Sequence, residues 1–201
     1  MKNHLIVFWA LTLLFAGCSK ENELKKSVMV YDKEFTDLPA YTEWGYNTFG
    51  AYYDREVFSW NNEMVPAKVI VSDNEMLFIL DGQKGTSYYY DNSEEMTLTL
   101  KLGGFVPGKY TDLTILNDTI FDLTNPAYQV IVSIDTTKYK ATILSGEFTF
   151  KRAQNLLVDK KQVEVILSGY FEFKALINAK PITVSDGRFD VGIGPDNFYM
   201  Y

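Results

Sequence analysis

The chain is 201 residues long, 47% hydrophobic and 15% aromatic, and its 26 acidic against 19 basic side chains leave a formal charge of −7. That size and composition suit one packed domain and exclude wholesale disorder. The acidic balance argues against a nucleic-acid partner, whose affinity rests on Lys and Arg neutralising phosphates, and the single cysteine excludes an internal disulfide.

The first segment reads as an address. A basic start (Lys2), an apolar run of 12 residues from Leu5 to Ala16 and a small residue, Gly17, are the three parts of an export signal. The run is too short to cross a ~30 Å hydrocarbon core as an ordinary transmembrane helix. Leu14-Phe15-Ala16-Gly17-Cys18 resembles the lipobox of bacterial lipoproteins, with Phe15 standing where that family usually has Leu, Val or Ile. The resemblance implies cleavage before Cys18 and acylation of its thiol, for example with palmitate. Residues 1–17 are then a lipoprotein signal peptide, and residues 18–27 a lipid anchor with a polar tether. The alternative is a soluble secreted protein whose cysteine falls there by chance. Several acyl chains, at ~0.8 kcal/mol per buried CH₂, would make the anchor effectively permanent. Ser19 follows the cysteine, rather than the aspartate that resembles an inner-membrane retention signal, so the expected location is the outer membrane, periplasmic or surface-facing. The tether Ser19–Lys26 is similar to the export signal of Bacteroidota surface lipoproteins.

Removal of the signal takes away His4, the one histidine, and leaves no cysteine beyond the anchor. Ser-His-Asp and Cys-His nucleophilic sites are thereby excluded, as are zinc and copper sites that need imidazole or thiolate. Oxygen-ligand cation sites and carboxylate catalysis survive. The expectation is no cofactor, no metal and no catalytic residue.

Residues 28–201 read as a single all-β domain. Glu34–Trp44 has room for one short helical turn, interrupted by Pro39. Period-2 runs then recur at Thr48–Tyr53, Glu56–Trp60, Lys68–Val71, Met76–Leu80, Ser87–Tyr90, Met96–Leu102, Tyr110–Leu116, Thr119–Leu123 and Tyr128–Ile134. Asp81-Gly82, Gly103-Gly104, Pro107-Gly108 and Asn125-Pro126 punctuate them as turns. Roughly ten short strands at this spacing predict an antiparallel β-sandwich or open barrel.

The last third holds a repeat. Ile143–Phe150 (ILSGEFTF) matches Ile166–Phe173 (ILSGYFEF) 23 positions later. In the first copy Leu144, Gly146, Phe148 and Phe150 share one face, opposite Ser145, Glu147, Thr149 and Lys151. In the second, Val163, Val165, Leu167, Gly169, Phe171 and Phe173 oppose Glu164, Ser168, Glu172 and Lys174, with Ile166 and Tyr170 on the wrong side. An inward glycine leaves room for an aromatic ring or a close backbone. The two copies are expected to pair antiparallel across a polar loop, Arg152–Lys161, with Gly146 opposite Gly169 and Phe148 opposite Leu167. A third, looser copy switches its apolar parity from Ile182 and Val184 to Phe189, Val191 and Ile193. Asp186-Gly187 at the switch predicts a β-bulge.

Asn47-Thr48-Phe49-Gly50-Ala51, the turn Asp54-Arg55, Pro107-Gly108-Lys109-Tyr110, the two repeat strands and the closing ITVSDGRFDV together resemble a family of small Bacteroidota lipoproteins of unknown function. The likeness spans about residues 47–194 and implies a β-rich fold. Arg55 stands where that family has glycine, which argues against a tight type I′ turn. No catalytic residue is carried over.

Aromatic side chains are the remaining candidates for chemistry. Trp44, Tyr46 and Tyr52, and the group Tyr88, Tyr89 and Tyr90, are candidate platforms for stacking a sugar, although strand cores are built from the same residues. Glu147 and Glu172 stand outward on the repeat strands and could lie near each other as a carboxylate pair. Asp73-Asn74-Glu75 and Asp91–Glu95 resemble loops able to hold a hard cation, but lack the EF-hand spacing and its glycine, so solvated turns are expected there. Trp44-Gly45 is not the Gly-x-Trp of a lipocalin. The leading expectation is a lipid-anchored envelope binding module without catalysis, its ligand a glycan or another molecule. The alternatives are a structural or accessory subunit docked on an outer-membrane protein, and a carboxylate-dependent glycoside hydrolase.

Overall fold

A computed structural model describes residues 25–60, 62–85 and 93–201. The expected signal peptide, Cys18, most of the expected tether, the strand expected at Ser87–Tyr90 and the three tyrosines in it lie outside the described residues. The described chain is all-β. In order it runs β1 (Thr48–Tyr53), β2 (Glu56–Ser59), β3 (Ala67–Ser72), β4 (Glu75–Lys84), β5 (Glu94–Gly103), a 3-10 helix (Tyr110–Leu116), β6 (Thr119–Asp122), β7 (Tyr128–Ile134), β8 (Thr137–Lys140), β9 (Thr142–Val158), β10 (Lys161–Ile177), β11 (Lys180–Ile193) and β12 (Phe198–Met200).

All twelve strands join one open sheet. Its path is β6-β9-β10-β11-β1-β2-β4-β5-β7-β8, with β3 beside β4 and the short β12 running parallel to β3. The sheet folds back on itself. Phe78 of β4 meets Phe148 and Phe150 of β9 and Phe189 of β11 with ring centroids 5.9, 5.3 and 5.4 Å apart. Where the two ends approach, Phe121 of β6 stands edge-on to Tyr128 of β7 at 5.1 Å. These rings, with Val69, Leu100, Val132, Leu167 and Val191, form one continuous core.

The expected turn at Asp81-Gly82 is instead strand. The Asp81 carboxylate accepts hydrogen bonds from Lys68 and Thr97, on the strands either side, at 2.8 and 2.9 Å. Gly82 sits where β4 exchanges β3 for β2 as its partner. A Cβ there would strike the Phe49 ring and the Ser59 carbonyl, so the corner needs glycine. The expected strand at Tyr110–Leu116 is a 3-10 helix. Leu113 and Leu116, three apart, are both buried, matching a three-residue turn rather than a two-residue pleat. Glu34–Trp44 forms no helix. Asp32 closes a local turn there by accepting the Glu34 and Phe35 backbone N–H groups at 2.8 and 3.0 Å.

β9 and β10 pair antiparallel, as the repeat implies, but both strands run 17 residues and only residues 159–160 separate them. Asp159 and Lys160 both have positive φ, 50° and 65°, the backbone of a type I′ hairpin turn. The register lies four residues from the expected one: Phe171 faces Phe148, Gly169 faces Phe150 and Phe173 faces Gly146. Each inward glycine therefore receives a phenylalanine from the next strand rather than another glycine. A Cβ on Gly169 would overlap the Thr149 carbonyl and the Phe189 ring. Leu144 is the extra residue at an irregularity between Ser145 and Ile143; it is exposed, and Ile143 packs on the core in its place. The bulge expected at Asp186-Gly187 is present. The register of β11 shifts there against both β10 and β1, Asp186 has a φ of 52°, and Ile182, Val184, Phe189, Val191 and Ile193 are all buried.

The outward face of β10 departs from expectation. Glu164, Ile166 and Ser168 are buried, whereas Tyr170, Glu172 and Lys174 are exposed. The cover is an N-terminal strap, residues 25–47, lying across β10, β11 and β1. Gly45 packs over Ile166, and Leu38 and Pro39 pack over Gly50. Ile166 and Tyr170, the two apolar residues on the wrong side of β10, are both points where the strap docks.

Candidate binding surface

Asp190 of β11 fixes the strap. At 1% exposure its carboxylate accepts five hydrogen bonds: from the Thr42 hydroxyl, from the Trp44, Gly45 and Tyr46 backbone N–H groups at 3.0, 2.8 and 3.1 Å, and from the Ser168 hydroxyl at 2.9 Å. Gly45 has a φ of 74°, which turns three successive N–H groups inward. A second clamp is Arg188. Its guanidinium bonds Asp32 at 2.8 Å and the Asp186 carbonyl at 3.1 Å, and lies 4.9 Å over the Phe35 ring.

Beside this latch the strap and β9 build a small aromatic and polar surface. Tyr41 stacks on Tyr170 with centroids 4.3 Å apart and planes 26° from parallel. The Tyr41 hydroxyl donates to Glu43 Oε1 at 2.9 Å. Burial, reinforced by the Glu43 carboxylate, raises the pKa of that phenol far above its ordinary value, so Tyr41 stays a neutral donor. Gln154 Nε2 donates to the Glu43 carbonyl at 3.0 Å, and Arg152 Nε donates to Gln154 Oε1 at 3.0 Å. The Arg152 guanidinium is 3.9 Å from the Glu43 carboxylate. Arg152 reaches this face through an irregularity in β9, where Ser168 and Gly169 of β10 face Arg152 and Phe150 and leave Lys151 between them.

The aromatic candidates separate. Trp44 is 73% exposed and Tyr46 half-buried, and both are tied through their backbone N–H groups to Asp190, either side of Gly45. Tyr52 is half-buried, its ring 6.3 Å from Phe35, at the other end of β1. Trp44, Tyr46 and Tyr52 therefore do not form one platform, while Tyr41 and Tyr170, which were not among the candidates, do stack. The displaced parity of Tyr170 was the available signal; Arg152 had none, because its segment reads as a polar loop.

Glu147 and Glu172 are direct cross-strand partners, with Asp122 of β6 facing Glu147 in the same row. Both glutamates are exposed. Among the described residues no three His, Cys, Asp or Glu side chains converge to hold a metal ion. In the acidic turns, Glu75 and Glu94 belong to strands and pair with Lys101 and Lys84 at 2.5 and 2.9 Å. Among the described residues no helix is long and apolar enough to cross a membrane.

The fold defines a class: an open, twelve-stranded all-β domain with an aromatic core and a strap latched across one face. No family model matches the chain, and neither the curated proteins nor the solved structures contain a match to it.

Proposed function

We propose that this chain is a lipid-anchored module of the cell envelope, at the outer membrane, that binds a ligand on its outer face and catalyses no reaction. The observation that carries the reading is the division between interior and surface. Phenylalanines from both halves of the sheet meet across the inside at 5.3–5.9 Å, where a lipocalin-like carrier would hold its ligand. Rings with polar neighbours stand outside instead, at Trp44, Tyr41 and Tyr170. The Leu14–Cys18 motif supplies the anchor in this reading, with membrane lipid as the constant partner and a glycan or an outer-membrane protein as the variable one.

General acid–base chemistry without histidine would need a carboxylate shifted toward neutrality beside a substrate. Among the described residues the one glutamate shifted upward by burial, Glu164, lies under the strap against Gly192 and Gly194, away from the exposed Glu147–Glu172 row. The test is saturable retention of the purified Cys18→Ala protein, which lacks the acyl anchor, on isolated cell envelopes, with and without prior protease treatment of those envelopes. Retention that survives protease supports a non-protein ligand. Retention abolished by protease points to the accessory-subunit reading. Polysaccharide turnover lost in Glu147→Gln or Glu172→Gln would replace both with a hydrolase.

A further inference from the structure

We propose that Tyr41, Tyr170 and Trp44, with Glu43, Arg152 and Gln154, form a subsite for a neutral sugar chain. This proposal rests on the reading of the chain as an envelope binding module and names its ligand class. A sugar ring offers an apolar C–H face and a rim of hydroxyl pairs, so its receptor needs an aromatic face beside planar, two-point hydrogen-bonding groups. Both parts occur here within a few residues.

The platform consists of the Tyr41–Tyr170 stack, 4.3 Å between centroids, with Tyr170 43% exposed, and of the Trp44 indole. Ser168 and the Trp44 N–H share the Asp190 carboxylate. Tyr170 is two residues farther along β10, or ~7 Å. The two aromatic positions are thus close enough for one sugar chain to reach both. The polar groups are a carboxylate, a guanidinium and an amide, each planar and each able to meet two adjacent hydroxyls. They are already ordered by one another: Tyr41 holds Glu43, Gln154 holds the Glu43 backbone, and Arg152 holds Gln154. Such preorganisation lowers the entropic cost of binding.

Charge selects a neutral ligand. Glu43 stands 3.9 Å from Arg152; of the other cations near Tyr170, Lys151 is paired with Asp118 at 2.9 Å and Arg188, directly opposite Tyr170 on β11, with Asp32 at 2.8 Å. Farther along the same face the row Glu172, Glu147 and Asp122 repels anions. A uronate or phosphate would find no uncompensated cation among these groups. A protein partner would call for a broader apolar patch than three rings bordered this closely by charge.

The experiment is affinity electrophoresis of the detergent-solubilised full-length protein through gels containing dextran, mannan or xylan, with polygalacturonate as the anionic probe. Retardation by at least one neutral polymer is expected, weakened about tenfold or more in Tyr170→Ala and Arg152→Ala and preserved in Tyr170→Phe, which keeps the ring. Trp44→Ala, at a side chain too exposed to disturb folding, should weaken retardation in the same way. Retardation unchanged in Tyr170→Ala, Arg152→Ala and Trp44→Ala overturns the site. Retardation by polygalacturonate alone overturns the ligand class. A protein that binds isolated envelopes but none of these polymers loses this proposal and keeps the broader reading, whereas one that binds neither loses both.

Discussion

Asp190 concentrates much of the cohesion of the outer face in one side chain. Its carboxylate is buried without a cation partner, and five donors replace its water. Asp190→Ala would strand three backbone N–H groups of the strap, so we expect a loss of about 3 kcal/mol or more, read as a lower urea midpoint. Asp190→Asn, which keeps one acceptor oxygen, should fall between. Glu164 works in the opposite sense. At 8% exposure, burial raises its pKa above the ordinary carboxylate value, against the pull of Lys25 and with the push of Asp196, and it lies against Gly192 and Gly194. The folded state then holds its proton more tightly than the unfolded state, so stability falls as pH rises from the ordinary value through the raised one. Glu164→Gln should flatten that slope and stabilise the protein at pH 8, measured by unfolding at pH 5 and 8. Asp32 adds an acid limb. The Phe35 and Glu34 N–H groups, then Arg188, lower its pKa, so its contribution is present above the ordinary value and lost as pH falls through the lowered one.

The long β9–β10 hairpin shows what an element inherits from its ends. Alternation in the repeat correctly places Phe148 and Phe171 on the buried face and makes the two strands antiparallel neighbours. Register was not legible, because every slip by two residues on a strand preserves the faces. It is set by the two-residue turn at Asp159-Lys160, which lacks the Asn-Gly signature, and by seating each glycine against a phenylalanine. Glu147→Cys with Glu172→Cys, in a Cys18→Ser background, should therefore form a disulfide on mild oxidation, since directly opposed residues lie ~4.5–5.5 Å apart at Cα. Glu147→Cys with Ser168→Cys, the pair that the expected register would join, should not. Mass spectrometry of the oxidised peptides reads both outcomes.

At the scale of the whole molecule, the strap joins the domain to the N-terminal end of the chain, where the anchor is proposed. Lys25 pairs with Asp196, and the Ser27 N–H donates to the Glu63 carbonyl at 3.0 Å, so the strap is secured from its start. Lys25 is seven positions after Cys18, a reach of at most ~25 Å when extended. With the cysteine acylated, the domain would ride close to the bilayer. Cys18→Ala should abolish fatty-acid labelling and release the protein from the membrane fraction while leaving its unfolding midpoint unchanged. Unchanged labelling would rule out the anchor.

Most strand positions, the repeat and the bulge at Asp186-Gly187 follow from local patterning alone, because a strand's two-residue side-chain period maps directly onto burial. The signal-like pattern of the N-terminus and the absence of histidine after His4 are likewise legible in the residues. Tertiary structure determined the partner of each strand, the register, and above all which outward face stays dry. Ile166 and Tyr170 looked like breaks in a pattern until the strap, more than a hundred residues earlier in the chain, came to lie across them. The main latch for that strap is a carboxylate bound largely by backbone N–H groups, and since nearly every residue carries such a group, no side-chain pattern announces where they will converge.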